Sequence, residues 1–251
     1  MLLGCNLNFA PVLDIDHHPG ANNALSGRCW GADSQAVINR AGVWNRWQKK
    51  RGMRTCGKHF PAGGRAVADP HHDLPVAQVD FATLLREDIL PYTALMPELD
   101  AVMIAHVHYP LLDPQWPASL SRRIVTDFLR YQLGFDRHLV ITDDLDMGAI
   151  RQHYGRGEDV KQAIRAGNDL AMICHQLDSL PLAVQALQEL SEAEVDDSLQ
   201  RVARFRKRLP RPLPWSEQRW QQTCAEIEAL SQSFLPVETE DGTAVSPVTQ
   251  Y

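Results

Sequence analysis

Short apolar runs rich in β-branched residues recur along the chain, and most are followed by a stretch with helical periodicity. Apolar strands alternating with amphipathic helices are typical of parallel βα units, because both faces of such a sheet are buried. We therefore predict an α/β fold built on a parallel sheet. The predicted strands are residues 6–15, 54–60, 101–108, 138–144 and 169–174, and the predicted helices between them are residues 34–50, 78–96, 121–133 and 158–166.

Polar residues gather where the predicted strands end. In a βα barrel this rim carries the active site, because the loops there converge on the barrel mouth. A (β/α)8 barrel needs eight strands in typically about 250 residues, whereas the pattern supplies about five before a helical tail begins. We therefore expect a TIM-type (β/α)8 barrel that is short of strands. The polar residues at the rim are Asp14, Asp16, Lys58, His59, His106, His108, Asp143 and Asp144.

The tail begins near Pro181 and contains three further predicted helices, at residues 182–190, 196–207 and 217–232. The segment PRPLP, residues 210–214, is typical of a linker. Residues 237–251, VETEDGTAVSPVTQY, have the composition of a disordered end. We predict a barrel domain over residues 1–209, followed by a linker, a helix and a disordered tail over residues 210–251.

The composition of the chain limits the kinds of molecule that it is expected to bind. The chain is 44% hydrophobic and 22% charged, with a formal net charge of -6 and a pI of about 5.9, so it has no basic stripe for nucleic acid. We see neither a membrane-length apolar segment nor a targeting signal, and expect a cytoplasmic protein. Five dispersed cysteines without a CxxC pair indicate reduced, mostly buried thiols rather than a zinc site or disulfides. No cofactor is expected.

The segment KHFPAGGRAVADPHHDLP, residues 58–75, concentrates three histidines and two aspartates in a stretch too rich in Gly and Pro for regular secondary structure. Asp69 and His71 are two residues apart, so the carboxylate can accept a hydrogen bond from one imidazole nitrogen. Such a bond fixes the tautomer and favours the protonated ring, which suits a general acid. The alternative is a solvated loop histidine, and we assign the adjacent His72 to that class.

A second candidate lies in TDDLDM, residues 142–147, which closes an apolar strand with two adjacent carboxylates. Successive side chains of a strand face opposite sides, so Asp143 and Asp144 do not both face one pocket unless the strand breaks there. One is then a candidate nucleophile or base, and the other a loop or capping residue. The alternative is that both cap the helix predicted to start near Met147.

Two further features leave alternatives open. His106 and His108 form an HxH pair on a predicted strand, which puts both imidazoles on one face. With His59, His71 and Asp143 also at the rim, this pair suits a metal-dependent hydrolase. The other predicted ligands have no recognisable spacing. Arg28 lies in a Gly-rich loop, from which its guanidinium can reach a carboxylate or sugar hydroxyls. Its alternative is an ordinary surface arginine.

Six motifs occur in one order: NFAPVLDI, SGR, KHFPAGGRAVADPHHDLP, AHVHYP, LGF…VITDDLDMGAI and AGNDLAMIC. In this order they resemble glycoside hydrolase family 3, and within it the bacterial β-N-acetylglucosaminidases (β-N-acetylhexosaminidases) that trim muropeptides in cytoplasmic peptidoglycan recycling. The resemblance spans about residues 2–176. The joint order of six motifs is far more specific than any one of them.

The resemblance implies a role for individual residues. His71 matches the acid/base of the family and Asp69 its partner. Asp143 matches the nucleophile, the first aspartate of a Ser-Asp-Asp-Leu pattern. The chain departs from the family where AGG, residues 62–64, replaces GHG, and where Pro70 replaces a Ser or Thr. The residues that match sugar-binding positions are Arg28, Lys58 and His59.

The resemblance also implies a retaining hydrolase that removes terminal β-linked N-acetylglucosamine through a glycosyl-enzyme intermediate, without a metal or other cofactor. The family's first two βα units have no counterpart here, so we expect a barrel that lacks them, with a C-terminal helical tail. An open barrel exposes strand edges and core, which an oligomer or a partner chain would cover. The alternatives are a non-catalytic sugar-binding or assembly remnant and a metal-dependent barrel hydrolase.

Overall fold

The computed structural model describes residues 1–21 and 23–234, and its core is a sheet of five strands that lie in the order of the sequence. All four neighbouring pairs are parallel, so each connection crosses over from one end of the sheet to the other. The prediction of a parallel α/β sheet is confirmed. The strands are β1 (Leu7–Asn8), β2 (Arg54–Phe60), β3 (Ala101–Ile104), β4 (Leu139–Asp144) and β5 (Leu170–Met172).

The central strands are buried on both faces, which explains the apolar runs of β3 and β4. Along β3, Val102 and Ile104 pack into the largest hydrophobic cluster together with helix residues. Ala101 and Met103, which alternate with them, pack into a second cluster on the other face. β3 therefore contributes to two cores.

The helices carry the crossovers. Asp33 starts α1 by accepting a hydrogen bond from the backbone N–H of Ala36 at 2.8 Å. The predicted helix over residues 78–96 is instead broken into two, because Pro91 begins a new helix. The helices are α1 (Ser34–Lys50), α2 (Phe81–Arg86), α3 (Leu90–Leu95), a π-helix (Arg123–Gln132), α4 (Gly148–Arg151), α5 (Glu158–Ala166), α6 (Leu180–Gln188), α7 (Glu192–Arg208) and α8 (Glu217–Phe234), with short 3-10 turns at Gly63–Arg65, Met96–Glu98, Ala118–Leu120 and Leu177–Ser179.

Three predicted strands have at most half their predicted length in the structure, and residues 169–174 form only the three-residue β5. Residues 6–15 form only the two-residue β1, since Pro11 has no N–H to donate to a ladder and the chain beyond it pairs with β2 through an isolated bridge between Val12 and Lys58. β3 ends at Ile104, so His106 and His108 follow the strand. The prediction that these two histidines share a strand face is therefore wrong.

The chain divides into two compact units, Leu7–Leu209 and Met1–Asn6 with Pro210–Tyr251. The first contains the sheet and every candidate site residue. In the second, α8 is the described helix and the Asn6 amide donates to the carbonyl of Pro210 at 3.1 Å. The predicted disordered tail lies outside the described residues. None of the described helices has both the length and the apolarity that a membrane crossing requires.

Helix α7 covers one face of the sheet. Its Phe205 lies in the hydrophobic cluster of Met103 and Ile141, with Val202 and Leu209 packed alongside. One face of the sheet is thus partly covered by the chain's own helix. The expectation that a partner chain or an oligomer covers the sheet stays a prediction.

The cysteines lie within the described residues and are free thiols. Burial raises the pKa of the Cys56 thiol to about 12, so it stays protonated inside the sheet. Cys5, Cys174 and Cys224 are exposed and Cys29 is half-buried. The prediction of reduced thiols stays a prediction, and the prediction that most of them are buried is wrong.

Replacing Phe205 with alanine tests the role of α7. The side chain is only 8% exposed, and deleting a buried aromatic ring costs about 3–5 kcal/mol of unfolding free energy. The matched control is Leu199→Ala on the same helix, where the side chain is 62% exposed and the expected cost is below about 0.5 kcal/mol. Urea denaturation measures both, and equal losses would show that α7 does not cover the sheet.

Candidate active site

A buried carboxylate accepts hydrogen bonds from the end of β2. Asp14 is 2% exposed, and its Oδ2 accepts hydrogen bonds from the backbone N–H of His59 at 3.0 Å and from its Nδ1 at 2.7 Å. Because a carboxylate oxygen accepts, Nδ1 carries the proton and Nε2 points away from Asp14. Asp14 therefore fixes both the backbone and the ring of His59.

The glycines after β2 let the loop approach this carboxylate. The backbone N–H of Gly64 donates to Asp14 Oδ1 at 3.3 Å. A Cβ at Gly63 would lie 2.9 Å from Asp14 Oδ1, and a Cβ at Gly64 would lie 2.0 Å from the carbonyl oxygen of Ile15. Any larger residue at position 64 would thus collide with the backbone, which accounts for the glycines of AGG.

Asp143 lies at the carboxyl end of β4 and faces His59. Its Oδ2 is 3.8 Å from His59 Nε2, and its side chain is 19% exposed. Burial acts to raise the pKa of Asp143, but the imidazoles of His59 and His106, the backbone N–H of Asp144 and the Lys58 ammonium outweigh it and lower the pKa below its ordinary value. The carboxylate is therefore ionised at neutral pH although water reaches it poorly.

The neighbouring Asp144 faces the loops instead of the pocket. Its Oδ1 accepts from the backbone N–H groups of Asp146 at 3.0 Å and Cys174 at 3.1 Å. Burial raises the pKa of Asp144 above its ordinary value. The two adjacent carboxylates thus have opposite shifts, and the strand alternation expected from sequence gives them different surroundings.

His106 is a structural support beneath Asp143 and Asp144. Its Nε2 donates to the carbonyl oxygen of Asp144 at 3.0 Å, and its Nδ1 lies 2.7 Å from Ser119 Oγ. Burial lowers the pKa of His106, so the ring is neutral and the Ser119 hydroxyl donates to Nδ1. This pair fixes the backbone that carries both carboxylates.

The geometry gives no support to a metal held by the HxH pair. Both ring nitrogens of His106 are hydrogen-bonded within the protein, and His108 Nε2 donates to the carbonyl oxygen of Asp113 at 3.1 Å. Among the described residues, one group of His, Asp and Glu atoms has the closeness of a metal site, and it lies elsewhere. Arg65 donates to two of its members, as expected for an ion-pair cluster. The group is His17, Glu87 and Asp88.

Lys58 brings positive charge toward Asp143, and Arg28 acts on Lys58. Lys58 is half-buried in β2, and burial lowers the pKa of its ammonium, with Arg28 acting in the same direction and Asp143 opposing it. The effect of Arg28 on Lys58 means that the two predicted sugar-binding cations lie within electrostatic reach of each other. Arg28 is exposed, and its Nη1 donates to the carbonyl of Ala24 at 2.8 Å.

Asp69 and His71 form the hydrogen bond that their spacing predicts. Asp69 Oδ1 lies 2.6 Å from His71 Nδ1 and also accepts from the backbone N–H of His71 at 2.9 Å. Both side chains are largely buried, 13% and 19% exposed. Proline at position 70 is compatible with this pairing, because the Asp69 carboxylate bonds to the backbone on its far side.

The loop that carries His71 is bonded to the segment that follows Asp143. The backbone N–H of Gly148 donates to the carbonyl of His71 at 3.0 Å, and that of Ala149 to the carbonyl of Pro70 at 3.1 Å. The two predicted catalytic elements, distant in sequence, are thus joined by backbone hydrogen bonds.

Sequence reasoning did not single out Asp14 or Ser119 for a role. Asp14 was visible only as one of the polar residues at the rim, and its partner His59 lies 45 residues away along the chain. Ser119 follows no motif at all. Neither pairing has a local signal, since both depend on how parallel strands bring their ends together.

Comparison with known proteins identifies a family and several relatives of this chain. A family model described as the glycosyl hydrolase family 3 N terminal domain matches residues 1–205. A beta-hexosaminidase of Pseudomonas aeruginosa (strain LESB58) is 38% identical over 188 residues, which are 75% of this chain and 55% of that protein. A beta-hexosaminidase of Thiobacillus denitrificans is 40% identical over 173 residues, covering 68% of this chain and 47% of that protein.

Solved structures agree with the sequence relatives. A glycoside hydrolase family 3 beta-N-acetylglucosaminidase from Paenibacillus sp. str. FPU-7 superposes with a TM-score of 0.80 at 34% identity. The match covers 86% of this chain and 43% of that one. The chain spans about half the length of the curated relatives that it matches.

The opposite shifts of the two aspartates predict opposite effects on stability against pH. The pKa of Asp143 is lower in the fold than its ordinary 3.8, so its contribution is present above pH 3.8 and is lost as pH falls toward the folded pKa. The pKa of Asp144 is raised above 3.8, so its contribution is present below pH 3.8 and is lost as pH rises through the folded pKa.

Urea titrations at a series of acid pH values check this with Asp143→Asn and Asp144→Asn as a matched pair. As pH falls, the stability of the wild type relative to Asp143→Asn should decrease, and relative to Asp144→Asn it should increase. If both stability differences changed in the same direction with pH, the opposite pKa shifts of Asp143 and Asp144 would be contradicted.

Proposed function

The chain belongs to glycosyl hydrolase family 3, and we propose that it is a retaining glycoside hydrolase that removes terminal β-linked N-acetylglucosamine. The observation that carries the proposal is a carboxylate kept ionised at the carboxyl end of β4, next to a loop with a hydrogen-bonded aspartate and histidine. A nucleophile must be charged before substrate arrives, and a proton donor must hold its proton. Asp143 and the pair Asp69 and His71 suit these two roles.

In the first step, a carboxylate oxygen of Asp143 attacks the anomeric carbon and the glycosidic bond breaks. His71 gives its proton to the departing oxygen, so the leaving group departs as a neutral alcohol. Asp69 accepts the Nδ1–H of His71, which orients the ring before the transfer. The product of this step is a glycosyl ester of Asp143.

In the second step, His71 takes a proton from a water molecule, and the resulting oxygen attacks the same anomeric carbon. The ester bond to Asp143 breaks and its carboxylate is restored, with His71 protonated again. Two inversions at one carbon give overall retention of configuration. The surroundings that lower the pKa of Asp143 also make its carboxylate a better leaving group here.

Arg28, Lys58 and His59 are proposed to bind the sugar. Their support is position: His59 and Lys58 lie beside Asp143, and the charge of Arg28 reaches Lys58. Donors of fixed orientation discriminate sugar hydroxyls, and Asp14 fixes the His59 ring. Burial removes water from the Lys58 ammonium and so disfavours its charged form. A polar ligand that takes the place of this water stabilises the charged form.

The substrate class, location and architecture are part of the same proposal. The names of the relatives, beta-hexosaminidase and beta-N-acetylglucosaminidase, support an N-acetylglucosaminide, and the motif resemblance supports a muropeptide-type aglycone in the cytoplasm. The sequential parallel order supports a sheet that is part of a TIM-type (β/α)8 barrel. We place the activity in residues 1–209 and assign no catalytic part to residues 210–251.

Hydrolysis of an aryl β-N-acetylglucosaminide by the purified chain tests the proposal. Asp143→Ala should abolish turnover, because no glycosyl ester can form. His71→Ala should lower turnover by roughly 10²–10⁴-fold, the range that general acid catalysis contributes. His72→Ala is the matched control, since His72 is exposed and adjacent, and it should retain turnover near that of the wild type.

The alternatives give different results in this assay. A non-catalytic sugar-binding or assembly protein would show no turnover that depends on Asp143. A metal-dependent hydrolase would lose activity with a chelator and respond to His108→Ala more strongly than to His71→Ala. Turnover unaffected by Asp143→Ala would refute the proposed nucleophile.

A further inference from the structure

We propose that Gly148 and Gln152, which follow the nucleophile strand, are positioning residues that hold the acid/base loop with His71 directed at the substrate. The effect of these residues on catalysis rests on the proposed function. Their effect on the position of the loop rests on the hydrogen bonds of the loop. Sequence reasoning singled out neither residue for a role of its own.

The turn at residues 69–73 is shaped by hydrogen bonds within it and is held in place by hydrogen bonds to other elements. The carbonyl of Asp69 accepts from the backbone N–H groups of His72 at 3.1 Å and Asp73 at 3.3 Å, and its side chain accepts from His71. These bonds shape the turn without fixing its place above the sheet. Its place depends on bonds to other elements.

Three hydrogen bonds join the turn to the segment after Asp143. The carbonyls of Pro70, His71 and His72 point toward that segment and accept in succession from the backbone of Ala149, the backbone of Gly148 and the side chain of Gln152. The distances are 3.1 Å from Ala149, 3.0 Å from Gly148 and 2.6 Å from Gln152 Nε2. A turn held by three consecutive carbonyls has little freedom to rotate its side chains away.

Gly148 is where the two segments approach most closely. A Cβ at this position would lie 2.6 Å from the carbonyl oxygen of His71 and 2.8 Å from that of His72. Both obstacles are backbone atoms, so the turn has to move as a whole to admit a methyl group. The alanine variant thus displaces the loop without removing any catalytic group.

Gln152 adds a side-chain bond from the next turn of the chain. It is exposed, so its removal leaves the core intact, and its amide is the third donor to the turn. At its other end, the loop is held to the chain beyond β3, where His108 N–H donates to the carbonyl of Pro75 at 2.8 Å. Residues 148–152 therefore control the end of the loop that carries His71.

The experiment compares two aryl β-N-acetylglucosaminides, a phenyl glycoside and a dinitrophenyl glycoside. Phenolate is a poor leaving group and needs a proton from His71, whereas dinitrophenolate departs without one. A displaced loop should therefore slow the phenyl substrate selectively. The variants are Gly148→Ala and Gln152→Ala, with Gly155→Ala as the matched glycine control, because a Cβ at Gly155 meets no atom within 4 Å.

We expect Gly148→Ala to lower kcat/KM, which reports the first step alone, for the phenyl glycoside by about tenfold or more relative to the dinitrophenyl glycoside, with a smaller effect in the same direction for Gln152→Ala. Gly155→Ala should keep the wild-type ratio. A merely structural defect would reduce the turnover of both substrates equally. An unchanged ratio in both Gly148→Ala and Gln152→Ala would overturn the proposal.

Hydrogen–deuterium exchange on the same variants gives a readout that needs no activity. Gly148→Ala should increase exchange of the amides in residues 69–73, and Gly155→Ala should leave it unchanged. If the wild type shows no turnover that depends on Asp143, the proposed function fails while exchange still decides whether the loop is held here. Normal exchange in Gly148→Ala would refute the anchoring itself.

Discussion

The candidate site depends on keeping one carboxylate charged where water reaches it poorly. Burial alone would raise the pKa of Asp143, and the surrounding imidazoles, amide and ammonium reverse that effect. The imidazoles and the amide are themselves held: His59 by Asp14, and the backbone of Asp144 by His106 and Ser119. The charge is thus stabilised by groups whose orientation is set before any substrate binds, which is the usual condition for electrostatic catalysis.

The same arrangement explains the unusual composition of the loop after β2. Its glycines are needed for close approach, at Gly63 against Asp14 and at Gly64 against Ile15. Its titratable residues divide into His59, which is fixed to the sheet, and the pair Asp69 and His71, which is carried on the turn. One segment therefore supplies both a rigid contact for the nucleophile and a separate group for proton transfer.

Local pattern predicts some elements well and others not at all. The helices α1 and α5 have the predicted bounds, since apolar spacing and a capping aspartate or glycine define them locally. The π-helix was predicted only as a helix, because periodicity does not separate the two forms. The stretch after β1 was predicted as strand although Pro11 prevents a regular ladder, and the pairing of Asp14 with His59 has no local signal.

The most direct test of the central claim is covalent labelling of Asp143. A fluorinated N-acetylglucosaminyl fluoride forms the glycosyl-enzyme readily and releases it slowly, so intact-mass and peptide mass spectrometry can locate the sugar. The account predicts one sugar per chain, attached within the peptide that contains Asp143 and absent from Asp143→Asn. An adduct on another residue, or turnover of a good substrate with no adduct at all, would contradict it.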